Sequence, residues 1–240
     1  MMETYELTIT GPGKNALGSG VMRDVVARVR AAGSRPILGV GAGDTFSAGL
    51  DLKEVASLDT PGMERFLLLL DELMDALWMH PGPTVACVNG HAIAGGCVVA
   101  LCCDHRVALD DASVRIGLNE VALGLEFPPK ILALARARVP RRALEAVVLG
   151  AGLHPPRTAV ALGLVDEVAA DPMATARERL AAHAAHPATV YAATKRALRA
   201  GKLDLSDDAR RDFRDRIVPA WAAPETKERV RARLTRRPAK

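Results

Sequence analysis

Short apolar runs of strand character alternate with longer segments of helical periodicity, and this alternation limits the possible folds more than any other feature of the chain. The strand candidates are residues 5–10, 37–42, 84–88, 105–109 and 113–118. Between the second and the third of them, apolar residues recur at helical spacing from residue 63 to residue 80. Because strands separated by helices must bury their faces against those helices, the pattern predicts a mixed α/β architecture down to about Val168.

The pattern changes after Pro172, where helical segments follow one another without intervening strands. These segments cover residues 173–185, 190–200, 206–218 and 225–234, with Pro, Gly, Ser or Asp at their boundaries. We therefore predict two parts, an α/β core over residues 1–172 and a helical C-terminal subdomain over residues 173–240.

The composition is that of a folded, soluble protein with one main domain. Of the 240 residues, 49% are apolar and 25% are charged, a balance that excludes extensive disorder. The net charge of +4 comes from 32 Lys and Arg against 28 Asp and Glu, with many basic residues in the last third, especially over residues 227–240. Since only two Trp, two Tyr and four Phe are available for base stacking, we predict no nucleic-acid partner.

The cysteines and the N-terminal residues indicate the cellular compartment in which the protein is expected. All four cysteines lie within residues 84–103, an apolar stretch in which a thiol behaves as a small buried hydrophobic group. They have neither the spacing of a metal site nor that of a disulfide framework, so we expect no metal and a reducing compartment. The N-terminal segment lacks the basic and then apolar layout of a secretory signal, which predicts a cytoplasmic protein.

The same apolar stretch has the length of a membrane span, since residues 84–103 contain no Lys, Arg, Asp or Glu and are long enough to cross a bilayer. The turn-forming residues Asn89 and Gly90 interrupt it, and Gly95 and Gly96 do so again. We therefore predict a buried strand, a tight turn and a core helix, and no membrane partner.

Two glycine-containing loops are candidates for chemistry. In the sequence FSAGLDLKE, Gly49 lies between a strand and a helical segment, and in GHAIAGGCVVALCCD, Gly95 and Gly96 open a helix. The first amides of a helix lack partners within it and carry the positive end of its dipole. Two such backbone amides can hold an oxyanion, although turns of small residues that lead into helices also occur for purely structural reasons.

Taken together and in this order, the motifs resemble those of the crotonase superfamily. The matching segments are FSAGLDL, VNGHAIAGG with Asp104 a helix length later, KNAL at residues 14–17, GLNEVALG at residues 117–124 and GLVDEV at residues 163–168. The resemblance implies an α/β fold, a crotonase-type spiral of repeated ββα units followed by C-terminal helices. It also implies that the backbone N–H groups of Leu50 and Gly95 hold the oxygen of an acyl-CoA thioester.

The resemblance implies further binding residues and an assembly. Coenzyme A, as part of the thioester substrate and not as a prosthetic group, is expected near the first loop and the KNAL segment, with contacts from Ala16, Ala48, Leu50, Asp51, Leu52 and Gly95. Relatives assemble as trimers or paired trimers, so a homotrimer or homohexamer is expected. Residues 173–240 suit packing between subunits, and equally folding back onto their own subunit.

The departures from the family pattern narrow the expected reaction. Hydratases of this kind resemble one another in having two glutamates, and here the first position is Val98 while the second is Glu120. A single carboxylate suffices for a 1,3-proton shift. The segment around GLNE looks especially like the monofunctional Δ3,Δ2-enoyl-CoA isomerases, which implies that Glu120 is catalytic. Apolar neighbours raise the proton affinity of such a carboxylate, and Ile116, Leu118, Val121 and Leu123 are the expected ones.

Several alternatives stay open at this stage. Glu126 is a second carboxylate candidate but is expected to be loop surface. Hydration, decarboxylation and thioester hydrolysis use the same scaffold, and a noncatalytic acyl-CoA-binding subunit is a reading from a different class. His91 and Asp104 are expected in structural roles, and Lys53 and Glu54 are expected to cap or decorate the following helix.

Overall fold

The computed structural model describes residues 3–235, so that the end of the basic stretch, residues 236–240, lies outside the described residues. The strands are Tyr5–Ile9 (β1), Ile37–Gly41 (β2), Thr45–Ser47 (β3), Thr84–Val88 (β4), His91–Ile93 (β5), His105–Leu109 (β6), Ile116–Gly117 (β7) and Glu167–Ala169 (β8). They form a larger sheet in the order β1-β2-β4-β6-β8 and a smaller sheet in the order β3-β5-β7. Every strand pair in both sheets is parallel.

The helices lie between and after these strands. They are Pro12–Asn15 (α1), Ser19–Ala32 (α2), Leu52–Val55 (α3), Thr60–Trp78 (α4), Gly95–Cys102 (α5), Pro129–Arg138 (α6), Arg141–Val148 (α7), Pro156–Ala161 (α8), Pro172–Ala184 (α9), Ala188–Arg199 (α10), Asp207–Asp212 (α11), Val218–Ala222 (α12) and Pro224–Thr235 (α13). A 3₁₀ turn covers Val121–Leu123, and a π turn over Phe213–Ile217 joins α11 to α12.

The chain repeats a ββα unit in which the two strands go to different sheets. In successive units β2, β4 and β6 join the larger sheet, while β3, β5 and β7, which follow them directly, join the smaller one. Side-by-side parallel strands bring their carboxyl ends to one edge. The smaller sheet therefore gathers the loops that follow β3, β5 and β7, which are the loops singled out in the sequence.

The larger sheet is covered on both faces, as expected for a parallel sheet. Side chains of β2, β4 and β6 that point to one face pack against Ala176 and Leu180 of α9. Those that point to the other face belong to the main core together with α2 and α4. Helix α9, which lies just after the predicted domain boundary, thus packs directly onto the sheet. The boundary between residues 172 and 173 stays a prediction.

Most of the predicted elements are present. The run of residues 113–118 is the exception, since only Ile116–Gly117 pairs with a neighbouring strand. The residues before it form a turn in which Val114 donates its N–H to the Asp111 carbonyl at 3.0 Å. The predicted helix of residues 206–218 is confirmed as α11 and the π turn, and continues into α12.

The charge-free stretch of residues 84–103 contains the predicted strand, turn and core helix as β4, the turn after it and α5, and it also contains strand β5, which was not predicted. No helix within residues 3–235 combines the length and the apolar character needed to span a bilayer.

The C-terminal helices return to the body of their own chain. Tyr191, Lys195 and Arg199 of α10 bind the buried carboxylate of Asp104 at 2.9, 2.8 and 2.5 Å. Helix α12 packs against α4, and α13 packs against α3. Helix α13 also packs against the 3₁₀ turn that follows Glu120, so α12 and α13 lie next to the predicted site.

Candidate active site

The two glycine loops touch each other at the edge of the smaller sheet. Gly49 has φ +93°, a conformation that L side chains rarely adopt, and a β-carbon built on it would lie 2.7 Å from the Ile93 carbonyl oxygen. A β-carbon built on Gly95 would lie 3.3 Å from the Leu50 nitrogen. Glycine at both positions thus allows the backbone of Leu50 and the start of α5 to approach closely.

The amide of Leu50 points away from the body of the loop. Leu17 forms a parallel bridge with Leu50, in which the Leu17 N–H donates to the Gly49 carbonyl at 2.8 Å and the Asp51 N–H donates to the Leu17 carbonyl at 3.1 Å. Because successive peptide groups of an extended chain point in opposite directions, the Leu50 N–H faces the other side. It donates to no group in the described part of the chain.

Gly95 supplies the second amide. It is the first residue of α5, after Ala94 in a positive-φ conformation (φ +48°). The N–H groups of the first helical turn have no carbonyl partner inside the helix, and the helix dipole favours negative charge there. The backbone of Leu50 thus lies against the start of α5, and the amides of Leu50 and Gly95 each lack a partner in their own element.

Glu120 faces a cavity beside these loops. The residue follows β7, its side chain is 4% exposed, and it lines a cavity of about 210 Å³. The other lining residues are Ala48, Leu50, Leu52, Ile93, Ala94, Asn119, Leu123, Leu125, Leu153, Trp221 and Arg233. Most of these side chains are apolar, so the carboxylate is surrounded by hydrocarbon.

This surrounding changes the acidity of Glu120. Burial raises the pKa of its carboxyl group to about 7. The Oε2 atom has no hydrogen-bond partner among residues 3–235. A carboxylate with such a pKa exchanges its proton readily near neutral pH, which is the property required of a general acid and base.

The cavity brings together only part of the predicted set. Ala48, Leu50 and Leu52 line it together with Glu120, whereas Ala16 and Asp51 do not. The Asp51 carboxylate instead accepts from the N–H of Lys53 at 2.9 Å and caps α3. Gly95 contributes to the site through its position against Leu50.

The expected apolar neighbours of Glu120 are correct in part. Leu123 lines the cavity, and Ile116 and Leu118 are fully buried. Val121 is 44% exposed, so its expected contribution was wrong. The 3₁₀ turn that begins directly after Glu120 carries Val121 outward to the solvent.

Glu126 and Val98 lie outside the lining of the cavity. The Glu126 carboxylate forms an ion pair with Arg216 at the surface, as expected for loop surface. Val98 is completely buried within α5. Glu120 is therefore the only carboxylate among the described lining residues.

The remaining motif residues have structural contacts. His91 accepts a hydrogen bond at Nδ1 from the Arg115 N–H at 2.9 Å, and Asp104 binds α10 as described above. Glu54 does more than decorate its own helix, because its carboxylate accepts from the Ser19 N–H at 2.8 Å and so caps α2.

Seven of the residues that line the cavity were not predicted from the sequence, and three of these, Asn119, Trp221 and Arg233, carry polar side-chain groups. Asn119 precedes Glu120, is buried, and has a side-chain oxygen without a hydrogen-bond partner in residues 3–235. Its place in the GLNE segment was the available signal. Trp221 and Arg233 come from α12 and α13, and no local sequence pattern indicates that these helices fold onto the cavity.

The cysteines are all free and buried. Burial raises the pKa of Cys97 to about 12 and that of Cys103 to about 11, so these thiols stay protonated. Within residues 3–235 there is no group of three or more His, Cys, Asp or Glu side chains arranged to hold a metal ion.

Comparison with known proteins identifies the family. The sequence model described as "Enoyl-CoA hydratase/isomerase" matches residues 4–232, nearly the whole chain. The chain belongs to the enoyl-CoA hydratase/isomerase family. A solved family member, human mitochondrial delta3-delta2-enoyl-CoA isomerase, superimposes with a TM-score of 0.90 at 25% identity, covering 96% of this chain and 92% of the human one. The crotonase fold expected from the sequence is thus confirmed.

Some relatives in the family are named as isomerases and others as hydratases. Mitochondrial enoyl-CoA delta isomerase 1 of Rattus norvegicus is 36% identical over 123 residues, 51% of this chain and 43% of the relative. Probable enoyl-CoA hydratase EchA17 of Mycobacterium bovis is 34% identical over 169 residues, 68% of this chain and 64% of the relative. The aligned part of the chain thus spans less than two thirds of the length of either relative.

Proposed function

We propose that the protein is an enoyl-CoA isomerase, which shifts a double bond along an acyl-CoA thioester. The observation that carries this proposal is the buried carboxylate of Glu120, which lacks a hydrogen-bond partner at Oε2 and faces the same cavity as Leu50. In this role Glu120 is the catalytic base and acid, and the backbone amides of Leu50 and Gly95 bind the thioester oxygen.

The proposed reaction is a 1,3-proton transfer. Glu120 removes a proton from C2 of a 3-enoyl thioester, the electron pair moves toward the thioester oxygen as a dienolate, and the proton returns at C4. The two amides stabilise the negative oxygen in the dienolate, and one such donor contributes about 2.7–4 kcal/mol in comparable enzymes. No oxidation state changes, so we propose that no prosthetic group takes part.

The lining of the cavity fits an acyl-CoA. Its apolar side chains suit the acyl group, and Arg233 provides a cation for an anionic part of the ligand. Ala48, Leu50 and Leu52 would contact the thioester arm. Ala16 and Asp51 flank the same loop and remain proposed contacts of the CoA portion.

Hydration is the second candidate, since EchA17 bears the name of a hydratase. Against it, the position of the first hydratase glutamate holds Val98, which is buried and has no ionisable group. Decarboxylation and thioester hydrolysis use the same oxyanion-binding amides and remain alternatives, as does a noncatalytic acyl-CoA-binding subunit.

Incubation of the purified protein with 3-enoyl-CoA and, separately, with 2-enoyl-CoA tests these candidates. The proposal predicts conversion of the 3-enoyl to the 2-enoyl ester without formation of 3-hydroxyacyl-CoA. Accumulation of the hydroxy product would favour hydration, and release of free CoA would favour thioester hydrolysis. Decarboxylation is tested separately with a malonyl-type CoA ester, which carries the free carboxylate that this reaction removes. Binding of CoA esters without conversion at any chain length would favour the noncatalytic subunit.

We also propose that the protein is a cytoplasmic homotrimer or homohexamer. Helix α10 exposes Val190 and Leu198, two large apolar side chains on the C-terminal part of the chain. Such side chains suit a contact with a second copy. Sedimentation equilibrium tests the assembly, and a monomeric mass at micromolar concentration would contradict it.

A further inference from the structure

The position of the Glu120 side chain is set by the backbone that carries it and not by a hydrogen bond to Oε2. The Glu120 carbonyl accepts from the N–H groups of Leu123 and Leu125, both at 2.9 Å, whereas Oε2 of the side chain has no partner within the described residues. Gly124 closes the turn with φ +69°. The direction of the carboxylate therefore depends on how firmly residues 120–126 are held from outside.

Side chains from three places near the C-terminus hold this segment. Trp221 of α12 donates its indole N–H to the Glu126 carbonyl at 2.8 Å, and Arg229 of α13 donates to the Gly124 carbonyl at 3.2 Å. Arg216 pairs with the Glu126 carboxylate. Trp221 is 2% exposed, whereas both arginines are exposed to solvent. Since exposed polar contacts contribute little, the Trp221 hydrogen bond is the main restraint.

We propose that Trp221 is a positioning residue for Glu120. Its N–H fixes the segment that follows the carboxylate, and its ring forms part of the wall of the same cavity and excludes water from it. The expected effect of Trp221 on turnover rests on the proposed role of Glu120 as base. The structural link between Trp221 and the Glu120 segment does not depend on that role.

Few ionisable groups lie near Glu120. Cys97 of α5 is uncharged because burial raises the pKa of its thiol to about 12. Arg233 of α13 lines the cavity, and the Glu126 carboxylate is engaged by Arg216. If the Glu120 segment loosens, a change in its pKa would thus report the entry of water.

The chain offers a matched control for this proposal. Trp78, the other of its two tryptophans, is also buried but does not line the cavity. Its indole nitrogen has no hydrogen-bond partner in residues 3–235. Trp78→Phe therefore removes the same atoms as Trp221→Phe without removing a hydrogen bond or a wall of the Glu120 cavity. Its effect is confined to the ring over which the guanidinium groups of Arg138 and Arg199 lie, at 4.6 and 4.1 Å from its centre.

The test is a carboxyl ¹³C NMR titration of Glu120, assigned by its loss in Glu120→Gln, together with pH profiles of kcat. Trp221→Phe should lower the pKa of Glu120 from about 7 toward the ordinary glutamate value and reduce kcat roughly tenfold, with a smaller change in KM because the phenyl ring keeps part of the cavity wall. Trp78→Phe should change neither. An unmoved pKa in Trp221→Phe, or an equal shift in both variants, would overturn the proposal.

Should Trp221→Phe fail to fold, incorporation of a benzothiophene amino acid at position 221 keeps a ring of indole size and removes only the N–H donor to the Glu126 carbonyl, and it should shift the pKa in the same direction by a smaller amount. No shift in that variant would then count against the proposal. Because the titration needs no substrate, absence of isomerase turnover with a shift only in Trp221→Phe would refute the proposed function and leave the positioning role intact.

Discussion

The backbone nitrogen of Leu50 lies 3.3 Å from the position that a β-carbon on Gly95 would occupy. The sequence separates these residues by strands and turns, and the parallel pairing of β3 with β5 brings them together. The Leu50 amide is thus next to the first residue of α5, and two neighbouring backbone amides can bind one oxygen atom. This geometry is what links the two glycine loops to the proposed stabilisation of a thioester oxyanion.

Gly95→Ala should therefore impair catalysis more than folding. Its β-carbon would lie 3.2–3.4 Å from Leu50 atoms, a crowding that shifts of a few tenths of an ångström relieve, but only by moving the Leu50 amide. We expect kcat to fall about 10²–10³-fold, the effect of losing one oxyanion donor, with a nearly unchanged melting temperature.

Gly96→Ala is the matched control for that substitution. Its β-carbon would lie 2.3 Å from the Ser47 carbonyl oxygen, a backbone atom that cannot yield easily. We expect this variant to lose stability, measured by urea unfolding, in addition to activity. Equal losses of stability in the two variants would argue against a specific role of the Leu50 and Gly95 amides.

The pH dependence of turnover should follow Glu120. Burial raises its pKa to about 7, and the proposed reaction begins with the ionised form. We therefore expect kcat to rise about tenfold per pH unit on the acid side and to level off above neutral pH. A profile that is already flat at pH 5 would mean that a different group acts as the base.

Asp104→Asn should destabilise the fold. Burial acts to raise the pKa of Asp104, but the charges of Lys195 and Arg199 outweigh it and keep the pKa below its ordinary value. Removal of the carboxylate leaves two buried cations without their partner, which costs about 3–5 kcal/mol. Urea unfolding at pH 7 measures this loss, and a change below about 1 kcal/mol would show that the network contributes little.

The Asp104 carboxylate also makes the free energy of unfolding depend on pH in the acid range. Because its native pKa is depressed, Asp104 stabilises the fold above its unfolded pKa, and this contribution is lost as the pH falls through the lower native value. Unfolding free energies of Asp104→Asn should accordingly depend less on pH below about pH 4 than those of the unsubstituted protein.

The sequence predicts the elements that carry local signals. Apolar runs bounded by turn residues indicate the buried strands. Small residues at strand ends indicate the loops around Gly49 and Gly95. Glu120 could be nominated because its segment matches a family motif. In each case the information lies within about ten residues of the position concerned.

Long-range packing explains what the sequence did not show. Trp221 contacts a segment 95 residues earlier in the chain, and it lies between the predicted helical segments of residues 206–218 and 225–234, where no periodic pattern indicates a packing partner. Val121 has the residue type of a core position, but the turn that begins after Glu120 carries it to the surface. Neither outcome follows from periodicity alone.

Glu120→Gln should alter stability in a pH-dependent way. The native pKa of Glu120 is raised from 4.5 to about 7, so the folded form holds a proton that the unfolded chain has already released between these values. Stability of the unsubstituted protein therefore falls as pH rises through this range. Glutamine resembles the protonated acid, so the variant should match it at pH 4 and exceed it by about 3 kcal/mol at pH 8.

Turnover of 3-enoyl-CoA by Glu120→Gln, measured beside the affinity of that variant for a CoA ester, tests the central claim most directly. The account predicts that turnover falls by at least about a thousandfold while the dissociation constant of the ester changes little, because the two amides and the apolar walls remain. Turnover within about tenfold of the unsubstituted protein would contradict the assignment of Glu120 as the group that transfers the proton.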